Sequence, residues 1–325
     1  MKKRNKIIFG LIFFALFIAI ILYFIFLLFN EKKQKIEFYT VGGQKENGLV
    51  ISDNIEDENK GVQYSNLEEI KGNQFVWIPV ENVIAESYEK AKEMIQENKY
   101  PMVVKDGDNY KSLIYYFNEK ENKIILNEGT SETVSEPNID DKEEQNRFNQ
   151  MVEYVDKYKG FYVSRFEIGN VTELDSNRGK VISRCNQNHI ADNSWQNMYR
   201  LCNEMYNYKN AKSEMIWECQ WNAILFWFNS NPDTQRYAFS LENKGNYSGK
   251  LCKTGSEEKY SINNIYDLFG NVAEWTQANS FGSYRVAKGA SYNGISSNSI
   301  AVNDLIEDPL NSFKYIGTRA VLYIY

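Results

Sequence analysis

Histidine is almost absent from this chain of 325 residues, which contains a single one, His189. Metal centres that need several imidazole ligands, such as those of non-haem iron enzymes, are therefore not expected. A Ser-His-Asp triad would have to use His189, and no G-x-S-x-G segment frames a serine nucleophile. We expect His189 to be a polar group with hydrogen-bond partners rather than a metal ligand.

Cysteine is scarce as well, and no C-x-x-C pair occurs, so a zinc ribbon is not expected. The four cysteines are Cys185, Cys202, Cys219 and Cys252. In an oxidising compartment they could form disulfides, with three possible connectivities. Alternatively they are buried thiols, which is favoured by the positions of Cys202 and Cys219 on the inner faces of predicted helices.

An excess of positive charge is also missing, because 37 basic residues stand against 43 acidic ones and the net charge is −6. No basic stripe is present, so nucleic acid is not expected as a partner. Proline occurs only 5 times, whereas 23 Tyr and 19 Phe supply large apolar side chains. This composition is typical of a folded chain with a sizeable core.

One long apolar run is present, between residues 7 and 29. It carries no charge and would be about 34 Å long as a helix, enough for a hydrocarbon core of about 30 Å. The run is too long for the apolar part of a signal peptide. We therefore predict a transmembrane helix over 7–29 in a single-pass protein of the cell membrane. The basic tail 1–6 favours a cytoplasmic amino terminus and an extracytoplasmic remainder, which would begin with a polar stalk at 30–72.

The most distinctive stretch is the turn Asn264–Trp275, with the sequence NIYDLFGNVAEW. Gly270 and Asn271 tolerate positive φ, so the chain is expected to bend sharply there. Bulky apolar residues on both sides would anchor the bend, while Asp267 and Glu274 add two carboxylates. Such a turn can offer carboxylate and carbonyl oxygens to a hard cation such as Ca²⁺. The simpler interpretation is a buried turn with two solvated acids.

Other short segments accompany this turn in a definite order. They are FVWIPV at 75–80, GFYVSRFEI at 160–168, a helix-forming stretch at 215–227, RVAKGASY at 285–292 and IGTR at 316–319. Together with the turn, which is similar to the pattern YDxxGNVWEW, they resemble the formylglycine-generating enzyme (sulfatase-modifying factor) family. The resemblance covers residues 73–325, with an insertion at 81–158. It implies an α+β fold, the family's loop-rich variant of the C-type-lectin fold, with small sheets and two main helices.

The resemblance also implies a set of metal ligands. In this family the matching turn holds one Ca²⁺ ion. Carried over to this chain, Asp267 and Glu274 would supply side-chain oxygens, and Gly270 and Val272 would supply backbone carbonyls. The ion would stabilise the loop and take no part in chemistry.

The family's oxidase activity depends on two cysteines that bind copper, and soft sulfur ligands suit Cu(I). Their positions correspond to Gly294 and Ser299 in this chain, and neither residue offers a soft donor. Copper-dependent formylglycine formation is therefore not expected.

The insertion is expected to carry secondary structure of its own, including a hairpin over 112–127. Helices are predicted, from the spacing of apolar residues, over 85–99, 148–158, 194–206 and 214–228.

We expect a binding or structural protein, because the scaffold is retained while the oxidase cysteines are replaced. The segment 292–311 is rich in Asn, Ser and Tyr, which suit adaptable contacts with an extracellular protein or a glycan. The candidate ligand-binding residues are Tyr292, Asn293, Ser296, Asn298, Asn303 and Arg319. The alternative is an enzyme that uses the same cleft. It would be an atypical oxidase with a cysteine from another segment, such as Cys252, or a different chemistry built on Arg285, Asp304 or Arg319.

Overall fold

Short strands joined by tight turns make up most of the computed structural model of the chain. The model describes residue 18 and residues 35–118, 123–126, 136–138, 141–170, 181–235, 245–280, 283–294 and 305–325. The α-helices are α1 (Tyr88–Gln96), α2 (Lys142–Tyr158), α3 (Trp195–Met205) and α4 (Glu218–Ser230). Many turns contain Asn, Asp or Gly residues at positive φ, the residue types that accept this conformation most readily.

The strands form two larger sheets and several small ones. In chain order they are β1 (Tyr39–Gly42), β2 (Val50–Ser52), β3 (Gln74–Pro79), β4 (Ile84–Ala85), β5 (Val103–Asp106), β6 (Asn109–Ser112), β7 (Tyr115–Asn118), β8 (Lys123–Leu126), β9 (Gly160–Ser164), β10 (Gly169–Asn170), β11 (Val181–Ile182), β12 (Ala211–Met215), β13 (Ser261–Ile262), β14 (Ile265–Tyr266), β15 (Ala273–Ser280), β16 (Tyr284–Lys288), β17 (Leu305–Glu307), β18 (Ile316–Thr318) and β19 (Ala320–Ile324).

The larger sheet has six strands in the order β1-β2-β3-β9-β19-β12, and every neighbouring pair is antiparallel. The helices α2 and α4 pack against its central strands β9 and β3. Nearly every residue of α4 is buried, as expected for a helix that is apolar around most of its circumference. This helix and the sheet form the main core of the protein.

The smaller sheet has the order β17-β16-β15-β18, in which only the β15–β18 pair is parallel. Helix α3 begins after Ser194, whose hydroxyl accepts a hydrogen bond from the Asn197 N–H at 3.4 Å. Its buried residues Trp195 and Met198 join a second core cluster with Trp275. Because β18 and β19 follow each other directly, the chain passes from the smaller sheet to the larger one at Arg319.

The insertion at 81–158 packs onto the main core and is not a separate appendage. The predicted hairpin is confirmed: β7 and β8 pair from Tyr115↔Leu126 to Asn118↔Lys123. The side chain of Tyr115 meets Phe226 of α4 edge to face, with ring centroids 4.7 Å apart. Helix α2, which is longer than its prediction over 148–158, contributes the fully buried Phe148 to the same core.

Two other predictions need adjustment. The region expected to be a stalk carries β1 and β2, which pair with each other, and β2 also pairs with β3 in the larger sheet. The helix predicted over 214–228 begins at Glu218, because Glu214 and Met215 belong to β12. Sheet pairing with β19 overrides the helical apolar spacing at these two positions.

The prediction of a transmembrane helix is corrected. Residues 7–29 lie outside the described residues, apart from Ile18, and no helix among those described is long and apolar enough to cross a membrane. The most apolar helix, α4, has 13 residues. It is therefore about 20 Å long against a hydrocarbon core of about 30 Å, and its side chains are buried within the domain. The single-pass, cell-membrane and extracytoplasmic predictions depended on that helix and are corrected with it.

Candidate functional site

Positive φ angles shape the turn Asn264–Trp275, and backbone hydrogen bonds to neighbouring segments hold it in place. Asp267, Gly270 and Asn271 adopt φ values of 54°, 70° and 57°. At Gly270 a Cβ atom would lie 2.5 Å from the Asn246 carbonyl oxygen, so only glycine fits without rearrangement. The Gly270 N–H donates to the Gly289 carbonyl at 2.7 Å, and the Asn271 N–H donates to the Asn246 carbonyl at 2.9 Å. The sharp bend predicted at Gly270 and Asn271 is therefore confirmed.

A buried ion pair joins this turn to the junction between the two sheets. Both Glu274 and Arg319 are fully buried, and Arg319 Nε lies 3.0 Å from each carboxylate oxygen. Arg319 Nη2 is 2.7 Å from Glu274 Oε1 and 2.8 Å from the Tyr266 carbonyl oxygen, while Nη1 donates to the Ser164 carbonyl at 2.8 Å. Arg319, predicted as a ligand-binding residue, is thus enclosed in the core and inaccessible to a ligand.

A second buried carboxylate, Glu167, supports the turn from below. Its Oε1 accepts from the Val272 N–H at 3.0 Å, and its Oε2 accepts from Asn271 Nδ2 at 2.8 Å. His189 Nδ1 is 3.2 Å from the same Oε2, and His189 Nε2 is 2.6 Å from the Cys252 carbonyl oxygen. Burial raises the pKa of Glu167 well above its usual range and lowers the pKa of His189 to about 4. Burial thus favours the uncharged form of each of the two groups.

The four positions predicted to bind calcium do not form a cation cage. Both carboxylate oxygens of Glu274 are engaged by Arg319, whose guanidinium already supplies the neutralising charge. Asp267 Oδ2 accepts from the Gly255 N–H at 2.6 Å, and burial raises the pKa of Asp267 to about 7. In the part of the chain that the structure describes, no group of three or more His, Cys, Asp or Glu could hold a metal ion. The two predicted carboxylate ligands, Asp267 and Glu274, thus already have partners within the protein, and calcium binding stays an untested prediction.

The segment after β16 is fixed to the turn and leads to the surface. The Tyr292 N–H donates to the Asn271 carbonyl, and the Tyr292 carbonyl accepts from the Gly249 N–H, both at 2.8 Å. Tyr292 is half-buried, whereas Asn293 and Gly294 are exposed. The other positions of interest in this loop lie outside the described residues: Ser296, Asn298, Ser299, Asn303 and Asp304.

All four cysteines are free thiols. Cys202 in α3 and Cys219 in α4 are buried, while Cys185 and Cys252 are partly exposed. Burial raises the pKa of Cys185 to about 11 and that of Cys202 to about 12, and it also raises the pKa of Cys219 and of Cys252. None of these thiols is therefore a reactive thiolate near neutral pH.

A buried ion pair that was not predicted from the sequence joins Lys288, the last residue of β16, to Glu218, the first residue of α4. Lys288 Nζ is 3.1 Å from Glu218 Oε1, and both side chains are 1% exposed. Glu136 of the insertion accepts from the backbone N–H groups of Glu218 and Cys219, at 2.7 and 2.9 Å. Burial and the neighbouring Glu218 carboxylate raise the pKa of Glu136 to about 8. The sequence signal that could have revealed this pair is a charged residue at each of two otherwise apolar positions, Glu218 and Lys288.

The residues suggested for an alternative chemistry are not brought together among the described parts of the chain. Arg285 lies over the Trp195 ring, with its guanidinium carbon 4.0 Å from the ring centroid, and donates to the Gln277 carbonyl at 2.7 Å. Arg319 is enclosed with Glu274. The arrangement around the turn is thus a network of internally paired polar groups, to which the backbone of Tyr292 is also bonded.

No family model matches the chain, and no curated protein matches it. Several solved structures are similar to part of it. The "Treponema denticola variable protein 1" structure covers 50% of this chain and 84% of its own, with a TM-score of 0.36 and 14% identity. "Crystal Structure of CarF" covers 51% and 87%, with a TM-score of 0.36 and 14% identity. "Major Tropism Determinant M1 Variant" covers 51% of each chain, with a TM-score of 0.30 and 16% identity. At these TM-scores the likeness carries no argument about fold or function.

Proposed function

We propose that this chain is a binding or structural protein that presents a ligand-contacting loop from an α+β scaffold similar to that of the sulfatase-modifying factors. The observation that carries the proposal is the anchoring of Tyr292 through both its N–H and its carbonyl, directly before the exposed Asn293. A loop with a rigid base loses less conformational freedom when a ligand binds.

The proposed ligand is a protein or a glycan. The segment from Tyr292 to Asn311 contains four Asn, three Ser and one Tyr among its 20 residues, and these residue types give adaptable hydrogen bonds together with aromatic contact area. The contact residues in this proposal are Tyr292, Asn293, Ser296, Asn298 and Asn303. Arg319 is left out because its guanidinium is bonded on all sides within the core.

The proposal excludes copper–thiolate chemistry. The thiols lie on separate elements, with Cys202 in α3 and Cys219 in α4, and their pKa values are raised. A copper-dependent oxidase needs two thiolates close together, and Gly294 has no donor to offer in its place.

Two measurements test the proposal. First, the protein is screened against immobilised glycans and proteins, alongside Asn293→Ala and the control Glu93→Gln on the exposed side of α1. We expect Asn293→Ala, but not Glu93→Gln, to weaken at least one of the interactions that the screen finds. Equal binding by all three proteins, or no binding at all, would contradict the proposed loop.

Second, the protein is incubated in air with copper and a cysteine-containing peptide. We expect no aldehyde in the peptide beyond the level of a protein-free control. Aldehyde formation that depends on the protein would overturn the proposal and favour the oxidase alternative.

A further inference from the structure

A cleft of about 550 Å³ opens between the insertion and the main scaffold, and neither Tyr292 nor Asn293 lines it. Its walls come from the end of β3, the segment after α1, the end of α2 and one side of α4. The volume lies within the range of about 300–1,000 Å³ found for small-molecule sites. Because the insertion supplies one wall, the cleft exists only when the insertion is packed in place.

Five aromatic side chains line the inner surface of the cleft: Trp77, Tyr100, Tyr158, Phe226 and Trp227. We call this site the aromatic cleft. Most are held firmly. The Trp77 ring meets Tyr162 edge to face at 5.0 Å, Phe226 stacks on Tyr100 at 4.7 Å, and Trp227 Nε1 donates to the Glu46 carbonyl at 3.1 Å. A binding surface whose side chains are already fixed loses little entropy when a ligand enters.

Tyr158 differs from the other aromatic residues of the cleft. It is 38% exposed, whereas Trp77, Phe226 and Trp227 are 7%, 9% and 6% exposed. Its ring packs on Tyr154 at a centroid distance of 4.6 Å, and Lys157 Nζ lies 4.9 Å from the ring centroid. Tyr158 therefore offers the most open aromatic surface for a ligand to contact.

The rim of the aromatic cleft carries hydrogen-bonding groups of both kinds. Its polar residues include Lys45, Glu46, Glu81, Asn82, Asn98 and Lys99. Lys99 is paired with Glu97 at 2.7 Å, and Lys159, which also lines the cleft, is paired with Asp156 at 2.6 Å. Lysines, carboxylates and amides thus alternate around the opening without a strong excess of either charge.

We propose that the aromatic cleft binds a neutral saccharide. A sugar ring combines an apolar face, which suits an aromatic wall, with hydroxyls that both donate and accept hydrogen bonds, which suits a rim of lysines, amides and carboxylates. A phosphorylated ligand would call for a clear excess of positive charge, and a wholly apolar ligand would leave rim groups such as Asn82 and Glu81 without partners. This site shares no residue with the Tyr292 loop, so the two proposals are independent.

The experiment uses the whole protein and a panel of neutral disaccharides: cellobiose, maltose and diacetylchitobiose. Binding is followed by calorimetry and by tryptophan fluorescence, because Trp77 and Trp227 line the cleft. We expect at least one disaccharide to bind, and Tyr158→Ala to weaken that binding about two- to tenfold, as expected for the loss of one aromatic contact. Glu81→Ala is expected to weaken it as well.

Tyr116→Ala is the matched control, because Tyr116 is a comparably exposed tyrosine, 45% exposed, that does not line the cleft. It should bind the disaccharide as the unaltered protein does. Asn293→Ala should also bind the disaccharide normally. A loss of binding in that variant would place the saccharide site at the loop and contradict binding in the cleft. The absence of binding across the panel, or unchanged binding by a folded Tyr158→Ala variant, would also overturn it. So would a preference for sulfated over neutral glycans.

Discussion

At the Asn264–Trp275 turn the charged side chains lie in the interior and bond to one another, whereas at the aromatic cleft they stand at the rim beside solvent. Glu274 and Arg319 are both fully buried. Glu81 and Lys99 are exposed. Buried pairs have few bonds left for a ligand, while rim groups can exchange water for one. The charged groups of the turn therefore stabilise the fold, whereas those at the rim of the cleft remain in contact with solvent.

The largest effect is expected from breaking the buried pair. Arg319→Ala leaves the Glu274 carboxylate without its cation and frees the Ser164 and Tyr266 carbonyls. We expect a loss of about 3–5 kcal/mol in the free energy of unfolding, measured by denaturant titration. Arg200→Ala, which removes an exposed pair with Glu204, is the control and should change stability little. Similar losses of unfolding free energy in the two variants would show that the buried pair stabilises the fold no more than the exposed pair does.

A smaller effect is expected from pH. Burial raises the pKa of Glu136 to about 8 and that of Asp267 to about 7, so the folded protein binds more protons than the unfolded chain above their ordinary pKa values. Stability should therefore fall as pH rises from the ordinary pKa of each group to its raised value, by about 1 kcal/mol per pH unit for each group, so that above pH 7 the fall comes mainly from Glu136. His189, with its pKa lowered to about 4, acts in the opposite direction only below about 6.5, its ordinary pKa.

The pH effect is checked by urea titrations at several pH values between 6.5 and 8, with Glu136→Gln for comparison. That variant cannot ionise at this position, so its stability should depend less on pH than that of the unaltered protein. A stability that rises through this range, or an equal slope in both proteins, would contradict the assignment to buried carboxyl groups.

The smallest effect is expected from calcium. Because Arg319 engages both oxygens of Glu274, chelation with EGTA should leave the Tm unchanged, and so should millimolar Ca²⁺. Differential scanning fluorimetry is sufficient to measure this. An increase in Tm with Ca²⁺ that is lost in Asp267→Asn would support calcium binding at the turn. The turn would then, like the cleft, be a candidate ligand site.

Local patterns predicted much of the secondary structure. Two short apolar runs on either side of a polar turn predicted the hairpin that β7 and β8 form, because run length and turn composition are local properties. The bend at Gly270 and Asn271 was predictable for the same reason. The boundary between β12 and α4 was not, since pairing with the distant β19 decides it.

The hydrogen-bond and ion-pair partners of the buried carboxylates were much harder to predict than the position of the turn. Asp267 and Glu274 were identified as two carboxylates of the turn, but both the calcium interpretation and the solvated one missed the guanidinium that lies 45 residues beyond Glu274 in the chain. Glu136 at the start of α4 was missed for a similar reason, because it reaches this helix from another part of the sequence. Distances between such residues depend on how the sheets and the insertion pack.

The sequence by itself determined the element types, the sharp turn, the shortage of histidine and cysteine, and the replacement of the oxidase cysteines by Gly294 and Ser299. These follow from residue chemistry and local backbone preference. Only the tertiary structure decided which charges are paired, that Arg319 is enclosed, that residues 39–52 join the sheet, and that the insertion and α4 enclose an aromatic cleft. Burial and pairing are non-local, because each depends on contacts between residues far apart in the chain.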